Sequence, residues 1–198
     1  MIGRTRAAPR RSWAARSART AMSYVGVCNH SAWQVCQAMW LQERLHANPM
    51  IAIQNPYSLL NRGLEVEHFP MVRALGLVIM AYAPLATGLL SGTYEADVSA
   101  PEDSLWGSRK RDRFADTLAG RAADVLSVVR DIARKYGVSI PAVALAWVLA
   151  HEEITIAISG ADTFEQLDQN LGARDVTLDS ADRKRLDAVP ANLSMVLD

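Results

Sequence analysis

Four short apolar segments, each followed by a helical pattern, restrict the fold of this chain more than any other feature of the sequence. After each segment, apolar residues recur at the three- and four-residue spacing of a helix that buries one side. Strands that alternate with helices in this way predict an α/β fold built on a parallel sheet. The segments are Tyr24–Cys28, Met50–Gln54, Leu77–Tyr82 and Ile154–Ile158.

Two α/β architectures satisfy this alternation: an open flavodoxin-like sheet and a part of a (β/α)8 TIM barrel. A complete barrel has eight βα units and needs about 250 residues. Because this chain has 198 residues and only four such units, the count favours a partial barrel of about four βα units plus a C-terminal helix. The uninterrupted apolar run from Leu77 to Tyr82 further predicts a strand that is covered on both faces.

The helical stretches have recognisable ends. Ser31, Thr163 and Asp179 are suited to cap the helices that follow them, and Thr163 opens a capping-box pattern. Gly76 and Gly137 suit the C-terminal ends of two helices. The apolar sides are expected at Ala32, Val35, Cys36, Met39 and Trp40, then at Leu64, Val66, Val72 and Leu75, and then at Ala122, Val125, Leu126, Val129, Ile132, Ala133 and Tyr136.

The composition restricts the partners of the chain. Its net charge is +0, 50% of its residues are hydrophobic and 21% are charged, as in an ordinary soluble globular protein. The balanced charge argues against nucleic acid as a partner, and no run reaches the roughly 18 apolar residues of a membrane span. Cys28 and Cys36 follow no disulfide or zinc pattern, so we interpret them as reduced thiols of a cytoplasmic protein. The histidines show no ligand spacing, and no metal site is predicted.

Residues 1–22 differ from the rest of the chain. They contain six arginines and no acidic residue, and they lack the apolar stretch of a secretory signal. An organelle transit peptide or a nucleic-acid-binding arm has a similar composition, but we favour a disordered or wrongly assigned leader that packs little. We therefore divide the chain into an Arg-rich leader, residues 1–22, and one α/β domain, residues 23–198.

Polar and small residues gather where the four strands end, which is where barrels place their functional groups. Asn29 and Gln54 offer amide donors and acceptors that complement a carboxamide, and Tyr82 offers a ring face for stacking. Gly88 and Gly160 let the backbone approach a ligand closely. The last loop precedes a capped helix, whose free N–H groups favour a phosphate. Each feature also has a structural explanation, since the amides could bond to neighbouring backbone and the ring could lie in the core.

Four motifs in the same order resemble the aldo-keto reductase family over residues 24–190. They are Tyr24-Val-Gly-Val-Cys-Asn29, Gln54-Asn-Pro-Tyr-Ser-Leu-Leu-Asn-Arg62, Ala81-Tyr-Ala-Pro-Leu-Ala-Thr-Gly-Leu-Leu-Ser-Gly92 and Ile158-Ser-Gly-Ala-Asp-Thr-Phe-Glu-Gln-Leu-Asp-Gln-Asn170. The resemblance assigns them to strands 5–8 of the family's barrel, with Cys28 where a serine is usual. It implies an NAD(P)H-dependent oxidoreductase that acts on a small carbonyl substrate.

The resemblance also implies which residues bind the nicotinamide dinucleotide. Cys28, Asn29 and Gln54 would hold the nicotinamide carboxamide, and Tyr82 would stack on the nicotinamide ring. Arg109, from the long connection 91–118, would close over the cofactor. The pyrophosphate would lie along Ala83, Pro84, Leu85 and Gly88. The adenosine ribose and its phosphate would be surrounded by Gly160, Ala161, Thr163, Gln166, Gln169 and Asn170.

Two departures from the family bear on function. The resemblance implies NADP(H) in preference to NAD(H), yet Thr163 and Gln166 are uncharged where many relatives place an arginine, the stronger partner of a 2′-phosphate. The family's catalytic aspartate, tyrosine, lysine and histidine come from its first four strands, and no segment here matches those strands. None of the three lysines, Lys110, Lys135 and Lys184, follows a strand end, so we assign no catalytic residue.

Three functions are compatible with these observations. The first is an aldo-keto reductase that is truncated and inactive alone because its catalytic half is missing. The second is a non-catalytic nicotinamide-binding or regulatory module, and the third is a gene fragment without a function. Because closure removes the sheet edges of a barrel, we also expect the first and last strands to be open edges that promote self-association.

Overall fold

A four-stranded parallel sheet lies at the centre of the described part of the chain. The structure, a computed structural model of the 198-residue chain, describes residues 24–94 and 122–189. The strands lie in the order β1-β2-β3-β4, and each neighbouring pair is parallel. Their bounds agree with the four predicted segments to within two residues: β1 (Val25–Cys28), β2 (Met50–Pro56), β3 (Val78–Tyr82) and β4 (Ile154–Ile158).

Six α-helices connect and follow these strands within the described residues. They are α1 (Ala32–Arg44), α2 (Leu64–Leu75), α3 (Ala123–Tyr136), α4 (Ile140–Leu149), α5 (Phe164–Leu171) and α6 (Ser180–Ala188), and a 3₁₀ turn, Gly172–Asp175, follows α5. Thr163 and Asp179 accept hydrogen bonds from the first turns of α5 and α6, as their predicted capping roles require. Gly76 and Gly137 end α2 and α3 in the left-handed conformation, which glycine adopts without strain.

Helices cover one face of the sheet. Ile53, Ile79 and Ala81 are fully buried there, in one hydrophobic core that includes residues of α2, α3 and α4. The opposite face carries one residue from each strand in register, and Ile156 in this row keeps 44% of its surface exposed. The expectation that β3 is covered on both faces is therefore not met by the described residues. The complete row is Cys28, Gln54, Met80 and Ile156.

Strand order and the open face distinguish between the two predicted architectures. A flavodoxin-like sheet reverses its strand order at a switch point and carries helices on both faces. Here the strand order is sequential and the described helices cover one face. The wall of a (β/α)8 barrel has this arrangement, because its second face lines the interior. The described residues form an α/β layer consistent with part of a barrel, in which β1 and β4 each pair with one neighbour.

Two of the predicted helix faces are wrong in part. In α1, Cys36 is exposed and Trp40 keeps 53% of its surface exposed. In α2, Val66 keeps 79% exposure, while Phe69 is buried instead. The Phe69 ring packs against Tyr57, with ring centroids 5.2 Å apart, while Val66, in the first turn of α2, faces solvent. Spacing alone predicted the helices correctly but not their rotation about the helix axis.

Some predictions fall on residues that the structure does not describe. The Arg-rich leader, residues 1–22, and most of the connection 91–118 belong to this group. Within the described ranges, no single helix is long and apolar enough to cross a membrane. Taken together, α3 and α4 have the length and apolar composition of a span, but the two helices are bent by 99° relative to each other. Residues 141–148 of α4 are all buried, so this apolar helix belongs to the core.

Candidate functional site

The carboxyl ends of β1, β2 and β3 bring Asn29, Gln54 and Tyr82 together. Asn29 follows β1 with a left-handed φ of 57°, and its backbone N–H donates to the Gln54 carbonyl oxygen at 3.0 Å. The Tyr82 hydroxyl donates to Asn29 Oδ1 at 2.8 Å. Cys28 lies opposite Gln54 in the sheet. We call Asn29, Gln54 and Tyr82 the amide cluster.

The hydrogen bond from Tyr82 determines what Asn29 can offer to a ligand. Because Asn29 Oδ1 accepts the phenol proton, the Nδ2 amino group is left to donate. Burial raises the pKa of Tyr82 above its ordinary value of 10.0, and this effect outweighs the opposite influence of the Asn29 bond. The hydroxyl is therefore protonated at neutral pH and continues to hold the amide in this orientation.

The loop that follows β3 has an uncommon backbone. Ala83, Ala86 and Thr87 have φ values of 51°, 50° and 59°, and Gly88 has a φ of 90°. Residues with a Cβ rarely adopt this left-handed region, and such strained residues cluster at ligand-binding sites. The Ala86 N–H donates to the Ala83 carbonyl at 2.9 Å, and Leu90 anchors the loop in the core. Tertiary packing thus stabilises a loop conformation that its sequence alone would disfavour.

The loop after β4 is tied to α5 by side-chain hydrogen bonds. Asn170 Nδ2 donates to Ser159 Oγ at 3.2 Å and to the Gly160 carbonyl at 3.1 Å. The Asp162 N–H donates to Gln166 Oε1 at 2.8 Å. A Cβ at Gly160 would meet no atom within 4 Å. The loop is held to its helix while the space beside it remains open.

A cleft of about 460 Å³ lies between these two loops, within the size range of small-molecule sites. The amide cluster adjoins it, since Tyr82 precedes the lining residue Ala83 and pairs with the lining residue Ile158. The two regions therefore form one elongated site along the carboxyl ends of β1–β4. Predicted binding residues that line the cleft are Ala83, Pro84, Leu85, Gly88, Gly160, Gln166, Gln169 and Asn170.

The other predicted binding residues have different positions. Ala161 and Thr163 belong to the loop after β4 but are not part of the cleft lining, and Cys28 lies on the open face beside Gln54. Arg109 lies outside the described residues, so its closing role stays a prediction.

The structure adds lining residues that sequence reasoning did not assign. They are Thr87, Ser91, Thr93, Tyr94, Pro141, Ile158, Ser159 and Asp162. Asp162 lies inside the fourth motif, so its charge was visible beside the predicted phosphate site. Pro141 lies in the first turn of the buried helix α4, and no local pattern connects it with a ligand. Its place in the lining results from how α4 packs beside the loop after β3.

The residues present fit a dinucleotide. The amide cluster complements a carboxamide at one end, and the two loops flank the cleft at the other, with open space beside Gly160. Between them, the left-handed segment from Ala83 to Gly88 lines the path that joins the two ends. In residues 24–94 and 122–189, no group of three or more His, Cys, Asp or Glu is placed to hold a metal ion.

A second polar cluster is buried between α2 and α4, and its residues do not line the cleft. The fully buried Tyr57 donates its hydroxyl to Glu65 Oε1 at 2.7 Å and lies 3.2 Å from His151 Nε2. Burial raises the pKa of Tyr57 and lowers the pKa of His151. Burial also acts to raise the pKa of Glu65, but hydrogen bonds from Arg62 and Tyr57 lower it overall. The Tyr57 ring stacks on Trp147 at 5.4 Å between centroids, so this cluster joins helices rather than forming part of the site.

Comparison with known proteins identifies the class to which this fold and site belong. A sequence model described as the aldo/keto reductase family matches residues 21–191. This match covers all four motifs and the whole described α/β layer. The chain therefore belongs to the aldo/keto reductase family, as the resemblance of its motifs predicted.

Individual relatives are similar over most of this chain. It is 32% identical over 145 residues to the NADH-specific methylglyoxal reductase of Escherichia coli (strain K12), across 72% of this chain and 42% of that protein. It is 33% identical over 165 residues to the uncharacterized oxidoreductase YrpG of Bacillus subtilis (strain 168), across 80% and 46%. It is 30% identical over 155 residues to a probable voltage-gated potassium channel subunit beta of Oryza sativa subsp. japonica, across 77% and 47%. The chain spans about half the length of the curated relatives it matches.

Proposed function

We propose that this chain supplies the nicotinamide-dinucleotide-binding wall of an aldo/keto reductase. The observation that carries the proposal is the continuity of the amide cluster with the cleft. Tyr82 bonds to Asn29 on one side and leads directly into the lining residue Ala83 on the other. A ligand along both regions would present a carboxamide to the cluster and its phosphates and adenosine to the two loops. Membership of the family supports this choice of ligand.

Each part of the site would have a separate task when the dinucleotide is bound. The Asn29 amino group would donate to the carboxamide oxygen, and the Gln54 side chain would accept from the carboxamide nitrogen. The Tyr82 ring would offer a stacking face. The reduced nicotinamide supplies a hydride to a carbonyl carbon in this chemistry, and the chain's own contribution is to bind and orient the ring. Cys28 would help to hold the carboxamide. Arg109, which lies outside the described residues, would close over the cofactor.

We further propose that this chain does not by itself reduce carbonyls at the rate of a complete reductase. The reaction needs a proton donor beside the oxygen that gains charge. Among the described residues, the Tyr82 hydroxyl is engaged with Asn29, and Lys135 pairs with Asp179 and Asp182, away from the cleft. A missing general acid lowers the rate by about 10²–10⁴-fold. Binding without turnover is the expected behaviour.

The same proposal extends to the substrate, the cellular location and the self-association of the chain. The substrate of the assembled reductase would be a small carbonyl compound, and one relative is named for methylglyoxal. The location would be cytoplasmic, which the two free cysteines, Cys28 and Cys36, support. The open edges of β1 and β4 and the exposed Ile156 of β4 favour self-association, because unpaired edges and uncovered apolar faces attract other chains.

A second candidate function is a nicotinamide-binding module that never takes part in catalysis. The rice relative is named as a probable voltage-gated potassium channel subunit beta. Residues 24–94 and 122–189 place no acid–base pair in the cleft lining, which suits such a regulatory role. Both candidates require binding of the dinucleotide. They differ in whether a partner chain restores carbonyl reduction. Adding lysate fractions or candidate partner chains to the reduction assay therefore distinguishes the two functions.

The experiment uses the full 198-residue chain. Titration with NADH and NADPH, followed by cofactor fluorescence, should give saturable binding that Tyr82→Ala weakens. The matched control is Tyr24→Ala, because Tyr24 is exposed and outside the site. An absorbance assay with a reactive aromatic aldehyde should show no turnover above background. Failure of both dinucleotides to bind would contradict the binding proposal and favour a gene fragment without function, whereas turnover lost in Tyr82→Ala would contradict the inactivity proposal.

A further inference from the structure

We propose that the adenosine end of the cleft selects NAD(H) over NADP(H), and that Asp162 is the discriminating side chain. The adenosine end consists of Gly160, Asp162, Gln166 and Asn170. The inference rests on the proposed function, since it names which dinucleotide the same site takes. It departs from the NADP(H) preference that the resemblance of the motifs implied.

The first step is the position of Asp162. Its backbone N–H donates to Gln166 Oε1 at 2.8 Å, and the Gln166 N–H donates to Thr163 Oγ1 at 3.2 Å. These two bonds connect the loop after β4 to the first turn of α5. Asp162 and Gln166 consequently line the cleft as a pair. The carboxylate is attached to a backbone whose place is held by hydrogen bonds, so its charge stays near the adenosine end.

The second step is the charge around the cleft. Asp162 is the one charged residue in the lining that the structure describes, and this lining contains no lysine or arginine. Its carboxylate has no hydrogen-bond or ion-pair partner among the described residues. The next basic residue along the chain, Arg174, pairs with Asp175 instead. The adenosine end therefore carries an uncompensated negative charge in the described part of the chain.

The third step is the chemistry of the two dinucleotides. They differ only at the adenosine ribose, which carries a 2′-hydroxyl in NAD(H) and a 2′-phosphate in NADP(H). A carboxylate accepts hydrogen bonds from ribose hydroxyls, whereas a basic side chain is the usual partner of the 2′-phosphate. A phosphate monoester carries a charge of about −1.5 to −2 near neutral pH, so Asp162 would repel it. The neutral amide of Gln166 cannot compensate for that repulsion.

The test isolates the adenosine end by using fragments that lack the nicotinamide ring. ADP-ribose and its 2′-phosphorylated form are titrated calorimetrically against the full chain, alongside NADH and NADPH. We expect ADP-ribose and NADH each to bind about tenfold more tightly than their 2′-phosphorylated counterparts, because repulsion between like charges at an exposed site has about this magnitude. The ratio should decrease as the salt concentration rises, because exposed charges are screened.

Two variants decide whether Asp162 is responsible. Asp162→Asn keeps the size of the side chain and removes its charge, and it should reduce the binding ratio at least threefold. Asp168→Asn removes a charge from an exposed position of α5, the helix that follows the Asp162 loop, and Asp168 does not line the cleft; the ratio should not change. An equal reduction in both variants would overturn the assignment, because it would indicate a general effect of net charge.

The outcomes separate this inference from the proposed function. If the chain binds NADPH as tightly as NADH or more tightly, the dinucleotide site stands and the inference about Asp162 is overturned. If neither dinucleotide and neither fragment binds, the proposed function fails and the inference fails with it. A ratio that favours NADH and falls in Asp162→Asn alone supports both.

Discussion

Replacing Tyr82 with phenylalanine tests how the site orients a carboxamide. The substitution keeps the ring and removes the hydroxyl that donates to Asn29 Oδ1 at 2.8 Å. The Asn29 backbone stays in place, because its N–H donates to the Gln54 carbonyl. Its side-chain amide loses the group that determines its direction. The amide can then present either its oxygen or its amino group to the ligand, and only the amino group suits a carboxamide oxygen.

The size of the effect follows from the kind of hydrogen bond and from its exposure. A neutral hydrogen bond contributes about 0.5–1.5 kcal/mol net. Because Asn29 is exposed and Tyr82 only half-buried, the lower half of that range applies. Affinity for NADH should fall about two- to fivefold. Tyr82→Ala should weaken binding further, since it also removes the stacking face.

The assay compares NADH with ADP-ribose by calorimetric titration. Tyr82→Phe should weaken the binding of NADH and leave that of ADP-ribose unchanged, because the fragment lacks the carboxamide. Tyr24→Phe serves as the control, since Tyr24 lies outside the site and is 73% exposed. An equal loss for both ligands would point to a disturbed fold, and no loss for either would refute the orienting role of the hydroxyl.

Three further predictions concern stability and assembly. Tyr57→Phe should lower the free energy of unfolding by about 1–3 kcal/mol, because the buried hydroxyl donates a hydrogen bond to Glu65. Urea denaturation measures this change, and an unchanged midpoint of the unfolding curve with an unchanged slope would contradict it. Burial lowers the pKa of His151 from 6.5, so the unfolded chain binds more protons and stability should be lost as pH falls below 6.5. His151→Gln should reduce this dependence of stability on pH, whereas His46→Gln, at an exposed position, should not. Equal slopes of stability against pH in the wild type and both variants would contradict the role given to His151. Sedimentation should detect species larger than the monomer that Ile156→Lys shifts towards monomer, whereas a monodisperse wild-type monomer would disprove the open-face argument.

The elements themselves were largely predictable from local chemistry. β4 occupies the predicted residues Ile154–Ile158, since β-branched residues favour the extended conformation of a strand. The sequence ended the second strand at Gln54, before Asn-Pro, but β2 continues to Pro56. It continues because β3 supplies register partners, Ala81 for Asn55 and Tyr82 for Pro56. A local stop signal is overridden when a neighbouring strand offers pairing.

The candidate site, like the fold, could be predicted from the sequence only in part. The polar residue types at strand ends could be listed from the sequence, because parallel strands bring their carboxyl ends to one edge. The bond between Tyr82 and Asn29 could not be derived, since it joins residues 53 positions apart and depends on the spacing of β1 and β3. Pro141 entered the cleft lining for a similar reason, through the packing of α4.

The sequence by itself determined the alternation of strands and helices, the caps at Thr163 and Asp179, the family and the order of the binding motifs along the chain. These properties depend on residues close to one another or on motifs that can be read one at a time. The tertiary structure alone decided the rotation of α1 and α2 that exposes Trp40 and Val66, the open face of the sheet, and the unpaired charge of Asp162 in the cleft. The physical reason is that each of these properties depends on side chains from distant segments of the chain. Only packing determines which of those side chains lie next to one another.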